Sequence, residues 1–119
     1  MGITNTTVRV SHVARSTPVA EVDMIVDSGA IYSVVPADIL ASLGVRSEGP
    51  ERFSLADGRT VRRETGWVLF ELEGRRAPSR VIFGRRGDAS LLGMVKLEEL
   101  GLALDPLKRR LRPLKLMIA

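Results

Sequence analysis

The sequence has no cysteine, one histidine and few aromatic residues, and each scarcity excludes a class of function. Without cysteine there is no disulfide framework, no thiolate nucleophile and no cysteine-based zinc site. The lone His12 argues against a histidine-rich metal site and against a Ser-His-Asp triad. It lies in the alternating run 7–13, where we interpret it as a strand residue on the polar face. We therefore expect no cysteine- or histidine-based metal site.

Long apolar runs are also missing. No stretch of about 18 apolar residues occurs, so we expect no membrane-spanning helix and no membrane partner. Residues 1–15 contain neither the charged nor the apolar region of a signal peptide, which predicts a cytoplasmic location. The chain has 119 residues, 45% of them hydrophobic, which predicts a single domain over residues 1–119.

Basic residues exceed acidic ones, with a formal net charge of +4. A nucleic-acid-binding protein would carry these charges on one face, interleaved with aromatic residues that stack on bases. Aromatic residues make up only 4% of the chain, so we interpret the basic clusters as solvated charge and expect no nucleic-acid partner. The clusters are Arg62-Arg63, Arg75-Arg76, Arg85-Arg86 and Lys108-Arg109-Arg110.

Period-two alternation of apolar and polar residues dominates the chain and predicts strands. The predicted strands cover 7–13, 19–26, 32–35, 53–55, 60–65, 67–72, 79–83, 91–94 and 102–105, with a final strand or pair within 107–118. Short helices are predicted over 36–44 and 95–100, ending at Gly44 and Gly101. The dipeptide Asp57-Gly58 predicts a hairpin tip, and Glu73-Gly74 a second turn. This order favours an all-β fold with one or two short helices, closed into a barrel or sandwich.

A carboxylate interrupts the apolar run that covers residues 22–35. Asp27 lies between Ile25-Val26 and Ile31, separated from the latter only by Ser28, Gly29 and Ala30. Burying an ionised group without partners is costly, so Asp27 lies either at a turn tip in water or in a site that needs it. Asp-Ser-Gly is good turn chemistry in itself, which keeps the structural interpretation open.

A related pattern recurs near the C-terminus. Leu91-Leu92-Gly93 is an apolar run that ends in glycine before a helix, much as residues 25–29 precede one. The recurrence suggests an internal near-duplication in which only the first copy carries a carboxylate.

Asp27-Ser28-Gly29-Ala30, the hairpin at residues 56–60 and Leu91-Leu92-Gly93, in this order, resemble the retropepsin-like (retroviral-type) aspartic proteases. Residues 91–106 resemble small prokaryotic members of that clan, and the resemblance extends over about residues 8–114. It implies the closed β-barrel of half an acid protease, assembled as a two-fold homodimer. It also implies an aspartic endopeptidase that cleaves extended peptides or unfolded protein without a cofactor.

The resemblance assigns a role to each residue of the first motif. Asp27 is the catalytic residue, and with its copy in the second subunit it shares one proton and activates a water molecule. Ser28 links the two loops across the axis, Gly29 lets the backbone approach the substrate, and Ala30 leaves space beside the water.

The hairpin over residues 53–65 corresponds to the flap of that family. The flap closes over the substrate and excludes water. Its tip residues are implied to bind the substrate; they are Ala56, Asp57, Gly58 and Arg59.

One feature departs from the retroviral pattern. An acidic residue usually follows the Asp-Thr/Ser-Gly-Ala run, whereas Ile31 and Tyr32 follow it here, which predicts a more apolar cleft.

The C-terminal segment is strand-like, and we assign it to the dimer interface; the alternative is a core strand followed by a tail. Its apolar residues are Leu111, Leu114, Leu116 and Ile118.

Two other functions stay open at this point. The fold could serve as a catalytically weak peptide-binding or dimerisation module in which Asp27 is only a polar contact. A small β-barrel that binds nucleic acid through its arginine doublets is the third possibility, and it would show strongly salt-dependent binding.

Overall fold

The computed structural model describes residues 4–27, 29–55, 57–105, 108 and 110–113. These residues contain nine strands and two helices, which confirms the predicted all-β class. In chain order the elements are β1 (Thr4–Ser11), β2 (Val19–Asp27), β3 (Ser33–Pro36), α1 (Ala37–Ser42), β4 (Pro50–Ser54), β5 (Thr60–Leu72), β6 (Arg75–Gly84), β7 (Leu91–Gly93), α2 (Met94–Glu99), β8 (Leu102–Asp105) and β9 (Arg110–Pro113).

Six of the strands close into a barrel. The order is β1-β2-β7-β3-β6-β5, and β5 returns to β1 through the antiparallel pairs Arg9 with Glu71, Val10 with Phe70 and Ser11 with Leu69. Closure pairs strands that would otherwise be exposed at an edge. The predicted closed barrel is therefore confirmed.

Alternation along the strands fills the interior of the barrel. Alternate residues of β1, β2 and β5 are buried, while the residues between them face outward. In β5 the buried face includes Val68, Phe70 and Leu72. The largest fully buried side chains are Phe70, Met24, Leu40, Leu92, Leu102, Val8, Val10, Val35, Val68 and Val81.

Strand β5 is longer than the sequence predicts. Residues 60–65 and 67–72 read as two strands separated at Gly66, but β5 is continuous. A Cβ at Gly66 would lie 2.8 Å from the Phe83 ring and 3.0 Å from the Arg46 carbonyl oxygen. The glycine therefore allows close packing and does not break the strand. The first half of β5 pairs with β4, and the second half pairs with β6.

The first strand begins and ends earlier in the sequence than predicted. β1 ends at Ser11, and the next residues form a turn in which the Arg15 N–H donates to the His12 carbonyl oxygen and the Ala14 N–H donates to His12 Nδ1. His12 is thus a turn residue, contrary to its interpretation as a strand residue, because its ring accepts a local backbone hydrogen bond.

Both helices are short and lie beside the barrel strands. α1 follows Pro36 directly and ends before Gly44, whose φ is +77°. α2 follows Gly93 directly and ends before Gly101, whose φ is +72°. Neither of these helices is long or apolar enough to cross a membrane, and no other helix occurs among the described residues.

The C-terminal prediction is tested only in part. β9 pairs with β8, and Leu111 lies opposite Leu104, where both pack against the core. This position agrees with the alternative of a core strand. The other apolar residues of this segment, Leu114, Leu116 and Ile118, lie outside the described residues.

Candidate active site

Asp27 is the last residue of β2, where the strand leaves the barrel. Its side chain is half-buried, and Oδ1 accepts a hydrogen bond from the Gly29 backbone N–H at 2.8 Å. The Ala30 N–H donates to the Asp27 carbonyl oxygen at 3.1 Å. A Cβ at Gly29 would lie 3.3 Å from Asp27 Oδ1, so glycine leaves this carboxylate uncrowded. Ser28 lies outside the described residues.

Strand β7 supports the Asp27 loop from the side. It lies between β2, to which it is parallel, and β3, to which it is antiparallel, so that Asp27 is paired with Gly93. A Cβ at Gly93 would lie 2.7 Å from the Ile31 carbonyl oxygen. Only glycine therefore lets the backbone of the loop cross this point without displacement. The two motifs of the proposed near-duplication are thus neighbours, although β3 intervenes before α1 while α2 follows Gly93 at once.

Ser33 completes this support, and sequence reasoning did not single it out. Its Oγ accepts a hydrogen bond from the Gly93 N–H at 3.0 Å, and both residues are buried. The bond joins residues 60 positions apart, so no local pattern reveals it. The only sign of this role in the sequence is that Ser33 is a small polar residue directly before the apolar residues Val34 and Val35.

The predicted hairpin is present and extends from the barrel. β4 and β5 are joined by a tip in which the Leu55 N–H donates to the Arg59 carbonyl oxygen at 2.8 Å, and Gly58 has a φ of +87°. Asp57 Oδ1 accepts from the Arg59 N–H at 2.9 Å, and the two side chains form an ion pair. The hydrogen bond from the Arg59 backbone N–H contributes most to lowering the pKa of Asp57, and the bond from the Arg59 side chain lowers it further. Ala56 lies outside the described residues.

The hairpin, which we call the flap, encloses an apolar pocket of about 290 Å³ against the barrel. The flap contributes Phe53, Leu55 and Val61, and the barrel contributes Val34, Ile82 and Leu91; we call this space the flap pocket. Leu91 is paired with Ile25, two residues before Asp27, so the flap pocket lies beside the strand that ends at the carboxylate. The tip residues Asp57, Gly58 and Arg59 do not line it.

Three contacts anchor the flap to the barrel. Phe53 meets the Tyr32 ring edge to face, with centroids 5.3 Å apart, and Glu51 forms an ion pair with Arg80. Arg63 donates two hydrogen bonds to Asp88, from Nε at 2.8 Å and from Nη2 at 3.0 Å.

The Arg63–Asp88 pair is partly shielded from water and is geometrically specific. The exposed fractions of the two side chains are 17% and 27%. The Arg63 hydrogen bonds hold the pKa of Asp88 below its ordinary value, and the same bonds raise the pKa of Arg63. Since Asp88 also accepts from the Arg85 N–H at 2.8 Å, its carboxylate joins the flap stem to the loop before β7.

Comparison with known proteins agrees with this geometry. A family model described as Aspartyl protease matches residues 6–95, which include Asp27, the flap and Gly93. The chain belongs to the aspartyl protease family. No curated protein matches it significantly. The predicted resemblance to an aspartic protease is thereby confirmed.

A solved structure shares the fold of this chain. The protease of EIAV (equine infectious anaemia virus), complexed with the inhibitor HBY-793, is 19% identical with a TM-score of 0.67. The match covers 98% of this chain and 94% of that chain. The retropepsin-like barrel is therefore shown for nearly the whole chain.

The arginine doublets of this aspartyl protease do not gather on one element. Arg62-Arg63 lies in β5, Arg75-Arg76 begins β6, and Arg85-Arg86 lies in the loop after β6. Arg63 is held by Asp88, and Arg75 donates to the Leu100 carbonyl oxygen at 3.3 Å. Nothing in this placement favours a nucleic-acid interface.

Proposed function

We propose that the chain is an aspartic endopeptidase whose active site forms from the Asp27 loops of two subunits. The observation that carries the proposal is the position of Asp27: it ends a barrel strand, accepts the Gly29 N–H and lies beside the flap pocket in a chain of the aspartyl protease family. One chain supplies one such carboxylate. The paired chemistry therefore requires a second copy, most simply around a two-fold axis.

Two Asp27 carboxyls brought together at such an axis share one proton, because two like charges at short distance are unfavourable. The ionised carboxylate takes a proton from a water molecule, which attacks the carbonyl carbon of the peptide bond. The protonated carboxyl donates to the carbonyl oxygen, and a proton then passes to the leaving amine. The Gly29 N–H holds Oδ1 in place and so limits rotation of the carboxylate.

The substrate that this geometry favours is an extended peptide with an apolar side chain next to the cleaved bond. The flap supplies strand-forming backbone, which binds an extended segment through main-chain hydrogen bonds. The flap pocket is lined mainly by aliphatic and aromatic side chains, together with the ion-paired Arg63 and Asp88, and it accepts an apolar residue. We assign Asp57, Gly58 and Arg59 to the rim that the peptide passes, since they lie at the flap tip.

The test compares Asp27→Asn with a matched variant of the same strand. Asp23→Asn changes the same residue type in β2, where Asp23 accepts a hydrogen bond from the exposed Thr7 hydroxyl. Purified proteins are incubated with a mixed peptide library from about pH 3.5 to 7, the range in which carboxyl pairs commonly titrate. We expect Asp27→Asn to lower cleavage by roughly 10²- to 10⁴-fold and Asp23→Asn to leave it unchanged.

Each outcome separates the proposal from its alternative. Cleavage that pepstatin inhibits and that depends on Asp27 supports the endopeptidase. Peptide binding without cleavage by the wild-type dimer would instead support the catalytically weak binding module. Cleavage that survives Asp27→Asn would contradict the assignment of Asp27.

A further inference from the structure

A second groove lies on the outer side of the Asp27 loop. We call it the outer groove; it has a volume of about 200 Å³ and is lined by Ile31, Tyr32, Ser33, Trp67, Pro78, Ser79, Arg80, Val95, Lys96 and Glu99. Four of its large apolar side chains are exposed: Ile31 at 66%, Val95 at 48%, Tyr32 at 46% and Trp67 at 42%. Such a concentration of exposed apolar surface marks a binding surface more often than a single exposed residue does.

The charged residues of the outer groove are neutralised within the chain. Lys96 is buried, and its Nζ donates to the Pro78 carbonyl oxygen at 2.5 Å and to Glu99 at 3.0 Å. Arg80 pairs with Glu51 of the flap. Because each cation already has an anionic partner, the groove favours an apolar group over a charged one.

The outer groove adjoins the Asp27 loop and is separated from the flap pocket by one pair of rings. Ile31 and Tyr32 follow Asp27 in the same loop, and both line the groove. Tyr32 also packs against Phe53, which lines the flap pocket. The Tyr32–Phe53 pair is therefore the partition between the two cavities, and an extended chain that leaves the flap pocket past this pair reaches the outer groove.

We propose that the outer groove is a distal subsite, which binds a bulky apolar side chain of the same peptide several residues from the cleaved bond. This inference rests on the proposed function and specifies its substrate class: peptides with two separated apolar anchors. The groove is smaller than the roughly 300–1,000 Å³ of drug-sized sites, which suits one side chain. The exposed Ile31 follows the Asp27 loop directly and offers the distal residue of the peptide an apolar contact.

Trp67 gives a direct readout of binding, because it is the single tryptophan of the chain and lines the groove. The Asp27→Asn variant is titrated with two uncleaved peptides: a long one with both anchors, and the same peptide trimmed to lose the distal apolar residue. We expect the long peptide to shift the Trp67 emission to shorter wavelength and to protect it from acrylamide quenching. The trimmed peptide should do neither. Equal responses to both peptides, or no response to either at saturation, would overturn the inference.

A kinetic test uses two valines of equal exposure. Val95 lines the outer groove at 48% exposed, whereas Val13 is 47% exposed and lies outside it. The measured quantity is the ratio of kcat/KM for the long peptide to that for the trimmed peptide. We expect Val95→Ser to lower this ratio roughly five- to tenfold, the scale of removing about two methyl groups from an apolar contact. Val13→Ser should leave the ratio unchanged.

The outcomes distinguish this inference from the proposed function. If the wild type cleaves both peptides and Val95→Ser leaves the ratio unchanged, the distal subsite is wrong while the endopeptidase stands. If neither peptide is cleaved but the long one alone shifts Trp67 emission, the subsite stands and the endopeptidase fails. If Val95→Ser dissociates the dimer in sedimentation experiments, the groove is a subunit contact and the inference is overturned.

Discussion

At Gly93 the support of the active-site loop depends on the absence of a side chain. A Cβ there would lie 2.7 Å from the Ile31 carbonyl oxygen, closer than real Cβ atoms approach other atoms. The loop that carries Asp27 crosses β7 at this point, so any side chain would move it. We expect the loop position, and hence activity, to be sensitive to Gly93 beyond the effect on folding.

The first prediction is therefore that Gly93→Ala destabilises the protein by about 1–3 kcal/mol, the usual cost of overpacking, and lowers peptide cleavage. Urea denaturation and kcat/KM measure the two effects. Gly74→Ala in the turn between β5 and β6 is the comparison, because its added Cβ meets open space and only its positive φ of 71° opposes alanine. Wild-type stability and activity in Gly93→Ala would contradict the close crossing.

A second prediction for a single residue concerns Ser33. Ser33→Ala removes the acceptor of the buried Gly93 N–H and should lower the free energy of unfolding by about 1–3 kcal/mol. Ser42→Ala is the control, since its hydroxyl bonds the Ile39 carbonyl oxygen in an exposed position, and we expect it to change stability little. Equal losses in the two variants would show that the buried hydrogen bond has no special importance.

Single residues differ in how readily the sequence reveals them. Asp27 stands out because a carboxylate within an apolar run violates a local rule. Two hydrogen-bonded pairs violate no local rule and are not revealed in this way: Ser33 with Gly93, and Arg63 with Asp88. The members of these pairs lie 60 and 25 positions apart in the sequence, and only the folded barrel joins them.

At the scale of the elements, the attachment of the flap depends on charge. Arg63 in the flap stem and Asp88 before β7 form a bidentate pair, and these bonds lower the pKa of Asp88 in the folded state. The stabilisation is thus complete above the pKa of the unfolded carboxyl and is lost as the pH falls through the lower, folded value.

The third prediction follows from the direction of this pKa shift. Asp88→Asn should lower the free energy of unfolding by roughly 1–2 kcal/mol at pH 7, and the difference from wild type should narrow as the pH falls below about 4. Urea denaturation at pH 7 and pH 3 measures it. The control is Asp57→Asn at the exposed tip, where we expect no measurable change at pH 7. A difference for Asp88→Asn that stays constant with pH would contradict the role of its charge.

Element types were predictable to different degrees. The hairpin tip at Asp57-Gly58 and the turn at Glu73-Gly74 follow from local turn chemistry, and both are present. Gly66 misled the prediction, because glycine in a strand also permits close packing. Closure through β1 and β5 could not be derived from periodicity, since it pairs residues about 60 positions apart.

At the scale of the whole molecule, the proposed activity depends on assembly of two subunits, because one chain holds one Asp27. In the proposed dimer two copies of the loop come together, and the active site then belongs to neither subunit alone. Activity should accordingly fall more steeply than protein concentration once dilution dissociates the dimer. Activity strictly proportional to concentration down to complete dissociation would indicate that a monomer suffices.

The most direct test of this central claim mixes wild-type protein with Asp27→Asn at constant total concentration and allows subunits to exchange. If one active site needs both carboxylates, mixed dimers are inactive, and an equal mixture retains about one quarter of the wild-type activity, the fraction of wild-type dimers expected by random pairing. The account predicts this quadratic dependence on the wild-type fraction. A linear dependence, with about one half of the activity left in the equal mixture, would contradict an active site shared between two subunits.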